Sequence, residues 1–186
     1  MDKTNLKVIR ESFGKVVYTH KTHEKAAEIE SYHGVLVKWA NIILTTLTSG
    51  TLISTIITNQ TNLTYISAGF STLTLAFIVF QLSFNSQEKA EKHKQLAREL
   101  WYIRERYVNF MADIINEKLS EGSIKTTRDQ LIEELKLIYK FAPATNSKAY
   151  KKAQDALRIN EELTFNDEEI DQFLPNELKF KSTYKE

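Results

Sequence analysis

Between Lys38 and Glu88 the chain carries no charged side chain, although Asp, Glu, Lys and Arg make up 26% of the sequence. A helix exposed to water needs a polar or charged outer face, and Trp39 to Gln87 offers only scattered hydroxyls and amides. The run starts too far from the N-terminus, and is too long, for a secretory signal. The remaining option is lipid. A polar cluster, Asn59-Gln60-Thr61-Asn62, divides the run into residues 40–58 and 63–84. As helices these would be about 28 and 33 Å long, enough to cross a hydrocarbon core of about 30 Å. A helix also satisfies its own backbone polar groups, which lipid cannot do.

The expected architecture is all-α: an N-terminal helix over residues 1–38, a transmembrane helical hairpin over 39–86, and a helical region over 87–186. The short turn makes the two spans antiparallel neighbours. Lys21, Lys25 and Lys38 precede the first span, and Lys89, Lys92, Lys94 and Arg98 follow the second, while the turn is uncharged. Positive flanks stay in the cytoplasm, so both termini are expected inside. Trp39 and Tyr65 suit the two interfaces as aromatic anchors. A soluble β-hairpin with an Asn-rich turn, or a buried helical hairpin, is the competing reading of so Thr- and Ile-rich a segment, but no other stretch reads as a partner strand. The Asn-x-Thr matches at Asn59 and Asn62 carry no weight at a membrane surface.

Several function classes are disfavoured. Lys and Arg number 25 against 24 Asp and Glu, so no basic surface for nucleic acid is expected. With no cysteine there is neither a disulfide framework nor a thiolate metal site. Neither span holds an ionisable side chain, which disfavours an ion-coupled transporter. No phosphate-cradling glycine loop is present, and no nucleophile, base and oxyanion donor assemble. No catalytic residue, cofactor or metal is expected.

Other features admit both a functional and a structural reading. Thr48, Thr51, Thr55 and Thr58 fall on one helical stripe. In an oligomer they are pore-lining candidates; otherwise each bonds a carbonyl one turn back or packs on the next helix. Ser67, Ala68, Gly69, Ser71 and Thr72 allow close helix packing. Gln81, near the end of the second span, reaches headgroups. His20 and His23 stand three apart, but a metal would need a third ligand. His33 and His93, at the membrane ends, are read as interfacial residues with some scope for pH sensing. Arg104 and Arg106, beside Trp101 and Tyr107, are candidates for binding a phosphorylated signal, with an ion pair inside the bundle as the plainer role.

An amphipathic helix is expected over residues 88–119, with Ala90, Ala97, Leu100, Trp101, Tyr107, Val108, Met111, Ile114 and Ile115 on its apolar face. Glu121-Gly122-Ser123 reads as its end and Thr127 to Gln130 as the capping box of the next helix. A further helix is expected over 147–162, burying Ala149, Tyr150, Ala153, Ala156 and Leu157. Asn166 with Glu169 reads as the cap of a last short one, whose acidic first turn suits the helix dipole.

The blocks KHKQLARELWYIRERYVNFMADI, RDQLIEELKLIYKFAPAT, KAYKKAQDAL and ELTFNDEEIDQFLP, in that order after a two-helix hairpin, resemble the SLATT family over about residues 15–178. These are two-transmembrane effectors associated with SMODS nucleotidyltransferases and SLOG proteins. The resemblance implies an effector of a bacterial antiphage conflict system in the inner membrane. Such an effector oligomerises and forms a pore, or disrupts the membrane, when a cyclic oligonucleotide or a cognate sensor protein signals infection. The alternative is a non-conducting anchor that recruits a cytoplasmic partner through its helical tail.

Overall fold

A computed structural model describes residues 3–58, 60–175 and 179; Asn59 of the expected turn lies outside them. The described residues form six helices and no strand: α1 (Lys3–Thr58), α2 (Thr61–Ser83), α3 (Ser86–Ile115), α4 (Glu121–Lys140), α5 (Ser147–Arg158) and α6 (Asp167–Phe173). The N-terminal helix and the first apolar span are therefore one uninterrupted helix of 56 residues, about 84 Å long.

One repeat organises the whole of α1. Ile9, Phe13, Val16, His20, His23, Ala27, Glu30, Gly34, Val37, Asn41, Leu44, Thr48, Thr51 and Thr55 follow at alternating steps of four and three, and all are buried or half-buried. The same spacing runs through Leu63, Ser67, Phe70, Thr74, Phe77 and Gln81 on α2, and through Ser86, Ala90, His93, Ala97, Leu100, Arg104, Tyr107, Met111 and Ile114 on α3. A period of 3.5 residues keeps one seam facing a partner along a left-handed helix pair. α1 thus packs against α2 in one half and α3 in the other. The joint between α2 and α3 is only Phe84 and Asn85, with the Asn85 side chain accepting a bond from the Glu88 amide.

What changes along this pair is its outer face. Beyond Lys38 and before Glu88, Ile42, Ile43, Leu47, Ile53, Ile56, Leu73, Leu75 and Val79 point outward. The most apolar windows of the two long helices are 0% and 6% buried within the protein. Apolar faces of this extent belong in hydrocarbon, so α2 and the second half of α1 form a transmembrane hairpin.

The extramembrane half adds α4 and α5. Leu131, Ile124, Leu135 and Ile138 of α4 close a core with Ile9, Val16, Leu96, Leu100, Ile103, Tyr107, Phe110 and Ile114. Ala149 of α5 packs on Ala26 and Ile29, with Tyr18 stacked on Tyr150 at 6.3 Å. Several local expectations need correction. α3 ends at Ile115 without a glycine: Glu117 takes the left-handed conformation itself, at φ 54°. α4 starts at Glu121, because the Ser120 side chain accepts from the Ser123 amide, so Thr127 and Gln130 lie inside the helix. Trp101, Val108 and Ile115 face outward, and so does Tyr150 of α5; the seam instead buries His93, with Leu96, Ile103 and Phe110 beside it. α5 stops at Arg158 rather than 162. The Asn166–Glu169 capping box is present as expected.

Candidate functional site

The most elaborated polar site lies in the α1–α3 seam, outside the membrane. The seam steps that bury Val16 and Ala27 also bury His20 and His23, and those that bury Ala90 and Ala97 bury His93. Nδ1 of His23 stands 2.8 Å from Nδ1 of His93, with the rings 3% and 5% exposed. Two imidazole nitrogens at that distance need one N–H and one lone pair between them, so the pair cannot hold a proton on both facing atoms. Burial pushes the His23 pKa down to about 4, with the positive potentials of His93 and His20 adding to it. Burial also lowers His93, against the opposing pull of Glu30. His20 is lowered by burial too, with Glu24 opposing and Arg104 and Lys21 reinforcing.

His93 is therefore not an interfacial residue, as its position in the chain suggests, whereas His33 is exposed on α1. His20 turns away from a shared metal: its Nε2 faces Glu24 Oε1 at 3.6 Å and its buried Nδ1 has no partner. Among the described residues no three potential ligands converge.

Next to the histidines, Lys21 is buried with its ammonium between Glu24 (2.7 Å) and Glu162 (2.6 Å). Burial alone would lower its pKa; hydrogen bonds with Glu162 and Glu24 hold it above the ordinary lysine value. Lys25 adds a second contact to Glu162 at 3.4 Å. These bonds tie the segment after α5 to α1, and Glu161 and Leu163 beside it hold positive φ of 53° and 70°, a backbone cost of about 1 kcal/mol or more each. Glu162→Gln should release this segment: limited proteolysis after residues 159–165 should speed up at least several-fold, while α3 stays protected.

A cleft of about 890 Å³ opens beside this cluster, walled by His20, Lys21, Glu24, Lys94, Arg98 and Trp101. Of the four residues expected to take a signal, only Trp101 lines it. Tyr107 is buried in the core, Arg106 pairs with Glu134 of α4, and Arg104 bonds Glu105 at 2.6 Å.

In the hairpin, Thr51, Thr55 and Thr58 bond the carbonyls of Leu47, Thr51 and Ser54, and Thr48 bonds that of Leu44. Thr48 also meets the Thr74 hydroxyl at 3.1 Å, and Thr55 meets Ser67 at 3.4 Å. Within the protomer, three of the four hydroxyls thus sit on the α1–α2 seam, and Thr58 is exposed. Ser67 is buried in the same seam, whereas Ala68, Gly69, Ser71 and Thr72 face outward from α2. Asn41, which sequence reasoning passed over, enters the seam at the membrane mouth with a buried, unbonded amide oxygen. Its membership of the four-three repeat was the available signal.

No curated protein and no solved structure matches the chain significantly. The model of the SMODS and SLOG-associating 2TM effector domain family 4 matches residues 6–169, which takes in α1 from Leu6 onward, α2 to α5 and the start of α6, with the hairpin, the histidine pair and the Lys21 clasp together. The protein therefore belongs to that SLATT family of two-transmembrane effectors.

Proposed function

We propose that this membrane effector permeabilises the bacterial inner membrane as a homo-oligomer when a signal is received outside the bilayer. A cyclic oligonucleotide or a cognate sensor protein supplies that signal, and both termini lie in the cytoplasm. The observation that carries the reading is the unbroken α1. One continuous helix takes part in the extramembrane core at Ile9 and in the transmembrane seam at Thr55. A change in how α1 and α3 pack is carried along that same helix to the hairpin. A ligand drives such a change only through its different affinities for the two packings.

The outward face of α2 supports assembly. Ala68, Thr72 and Ala76 recur every four residues on the side away from α1, a spacing that lets helices approach closely in lipid. Thr48, Thr51 and Thr55 enter a pore lining if assembly parts the α1–α2 seam and turns their hydroxyls toward water. The test is dye release from liposomes containing purified protein, with the doubly substituted Ala68→Leu, Thr72→Leu protein alongside. Wild-type protein should release dye at high protein-to-lipid ratio, and the variant should lose at least about ten-fold while remaining helical. Vesicles that stay intact with wild-type protein, also after addition of a cyclic dinucleotide or trinucleotide, would overturn the pore and favour the non-conducting anchor.

A further inference from the structure

Where the helix pair leaves the bilayer, a second cleft of about 760 Å³ opens between α1 and the start of α3. Ser31, Gly34, Lys38, Asn85, Gln87 and Lys94 line it together with two carboxylates, Glu88 and Glu91. Lys38 is the last charge before the uncharged run and Glu88 the first after it, so the cleft stands at the level of lipid headgroups. Both carboxylates of the lining already have a cation outside it. Glu88 pairs with Lys92 at 2.7 Å, and Glu91 pairs with Arg98 at 3.0 Å. Lys89 lies over the Phe84 ring. Lys38, Lys89 and Lys94 on this rim form no ion pair among the described residues, and of these Lys38 and Lys94 line the cleft. At Gly34 α1 has no side chain, and an added Cβ would meet only the Gln87 backbone nitrogen, at 4.0 Å. The floor is therefore main chain, and Ser31 and Gln87 supply hydrogen-bond donors beside the two ammonium groups.

We propose that this cleft binds the phosphate of an anionic lipid headgroup, held by Lys38 and Lys94. The chemistry it recognises is a phosphate ester, and the bilayer is its source because the mouth of the cleft lies at the membrane surface. Ser31 and Lys94 also line the cleft that contains Trp101, so an occupied headgroup site would abut the space beside the Lys21 clasp. The inference rests on the placement of the hairpin in a bilayer and not on pore formation, and it is read without any leakage measurement.

The test uses the full chain in mixed micelles of phosphatidylcholine and phosphatidylglycerol, with retained lipid counted by native mass spectrometry. Wild-type protein should retain phosphatidylglycerol in preference to phosphatidylcholine. Lys38→Gln with Lys94→Gln should weaken that preference roughly ten- to thirty-fold, at ~1 kcal/mol for each lysine. Lys89→Gln removes a charge from the same rim outside the cleft, without unpairing either carboxylate of its lining, and should leave the preference largely intact. A loss with Lys89→Gln equal to that of either single variant, Lys38→Gln or Lys94→Gln, or no preference in the wild type, would overturn the proposal. Inorganic phosphate, matched in ionic strength with chloride, should not displace the lipid. Displacement at millimolar phosphate would overturn the lipid assignment and make the site one for a soluble phosphate ester.

Discussion

Acidification from pH 7 to 4 should destabilise the extramembrane half of the protein by roughly 3 kcal/mol through His23 alone. The folded pKa of about 4 lies below the ordinary 6.5, and each unit of such a difference is worth about 1.4 kcal/mol. Because the folded value is depressed, the unfolded chain takes up the proton first. The stabilisation is complete above pH 6.5 and fades as pH falls toward 4. His93 and His20, both lowered by burial, act in the same direction. Glu30 and Glu24 oppose it from α1, Arg104 on α3 and Lys21 on α1 reinforce it, and Glu162 sits on the far side of Lys21. Carboxylates also titrate near pH 4, so the decisive measurement is a difference. Melting of the wild type should be compared across this range with that of His23→Leu, His93→Leu protein. Replacing both partners leaves no orphaned polar atom, so the double variant should be close to wild type at pH 7 and lose most of the slope between pH 6.5 and 4. A slope unchanged by the double substitution would show that the pair is not what titrates.

The histidine pair also marks the limit of what the sequence could reveal. The hairpin was legible because lipid imposes a one-dimensional rule: no charge between Lys38 and Glu88. The Asn166–Glu169 cap was legible because its two partners stand three residues apart. His23 and His93 are 70 residues apart, and nothing local to either predicts the other. The seam was hidden for a different reason. In a soluble helix the buried positions are the apolar ones. Here the seam of the spans mixes Asn41, Thr48, Thr51, Ser67 and Thr74 with Leu44, Leu63, Phe70 and Phe77, while other apolar residues face lipid, so apolarity no longer marks the buried side. The four-three spacing of α1 crosses both regimes, and only its continuity from Ile9 to Thr55 reveals it as a single element. The capping-box reading at Thr127 failed because a four-residue match competes with every nearby cap. Ser120 accepts from Ser123 and starts the helix earlier, and the glycine at 122 is tolerated in its first turn.

The lipid-facing apolar surface predicts opposite outcomes for two similar truncations. Leu100→Ala should lower the stability of the extramembrane half by about 2–5 kcal/mol, because Leu100 is fully buried among Val16, Leu96, Ile103 and Tyr107 and its loss leaves a cavity that packed neighbours only partly close. For a chain of this size that is a fall in melting temperature of roughly 5–15 °C. Ile53→Ala removes an equally apolar side chain, but one that is 58% exposed on the outer face of α1. Lipid or detergent covers that face and fills whatever space is left, so no cavity forms and the melting temperature should move by less than about 1 °C. Circular dichroism melts of both variants in one detergent provide the comparison. If Ile53→Ala costs as much as Leu100→Ala, the outer face of α1 is packed against protein and the hairpin does not meet lipid there. If neither variant moves, Leu100 does not close a protein core, and the α1–α3 seam loses its place as the structural link between the histidine pair and the membrane.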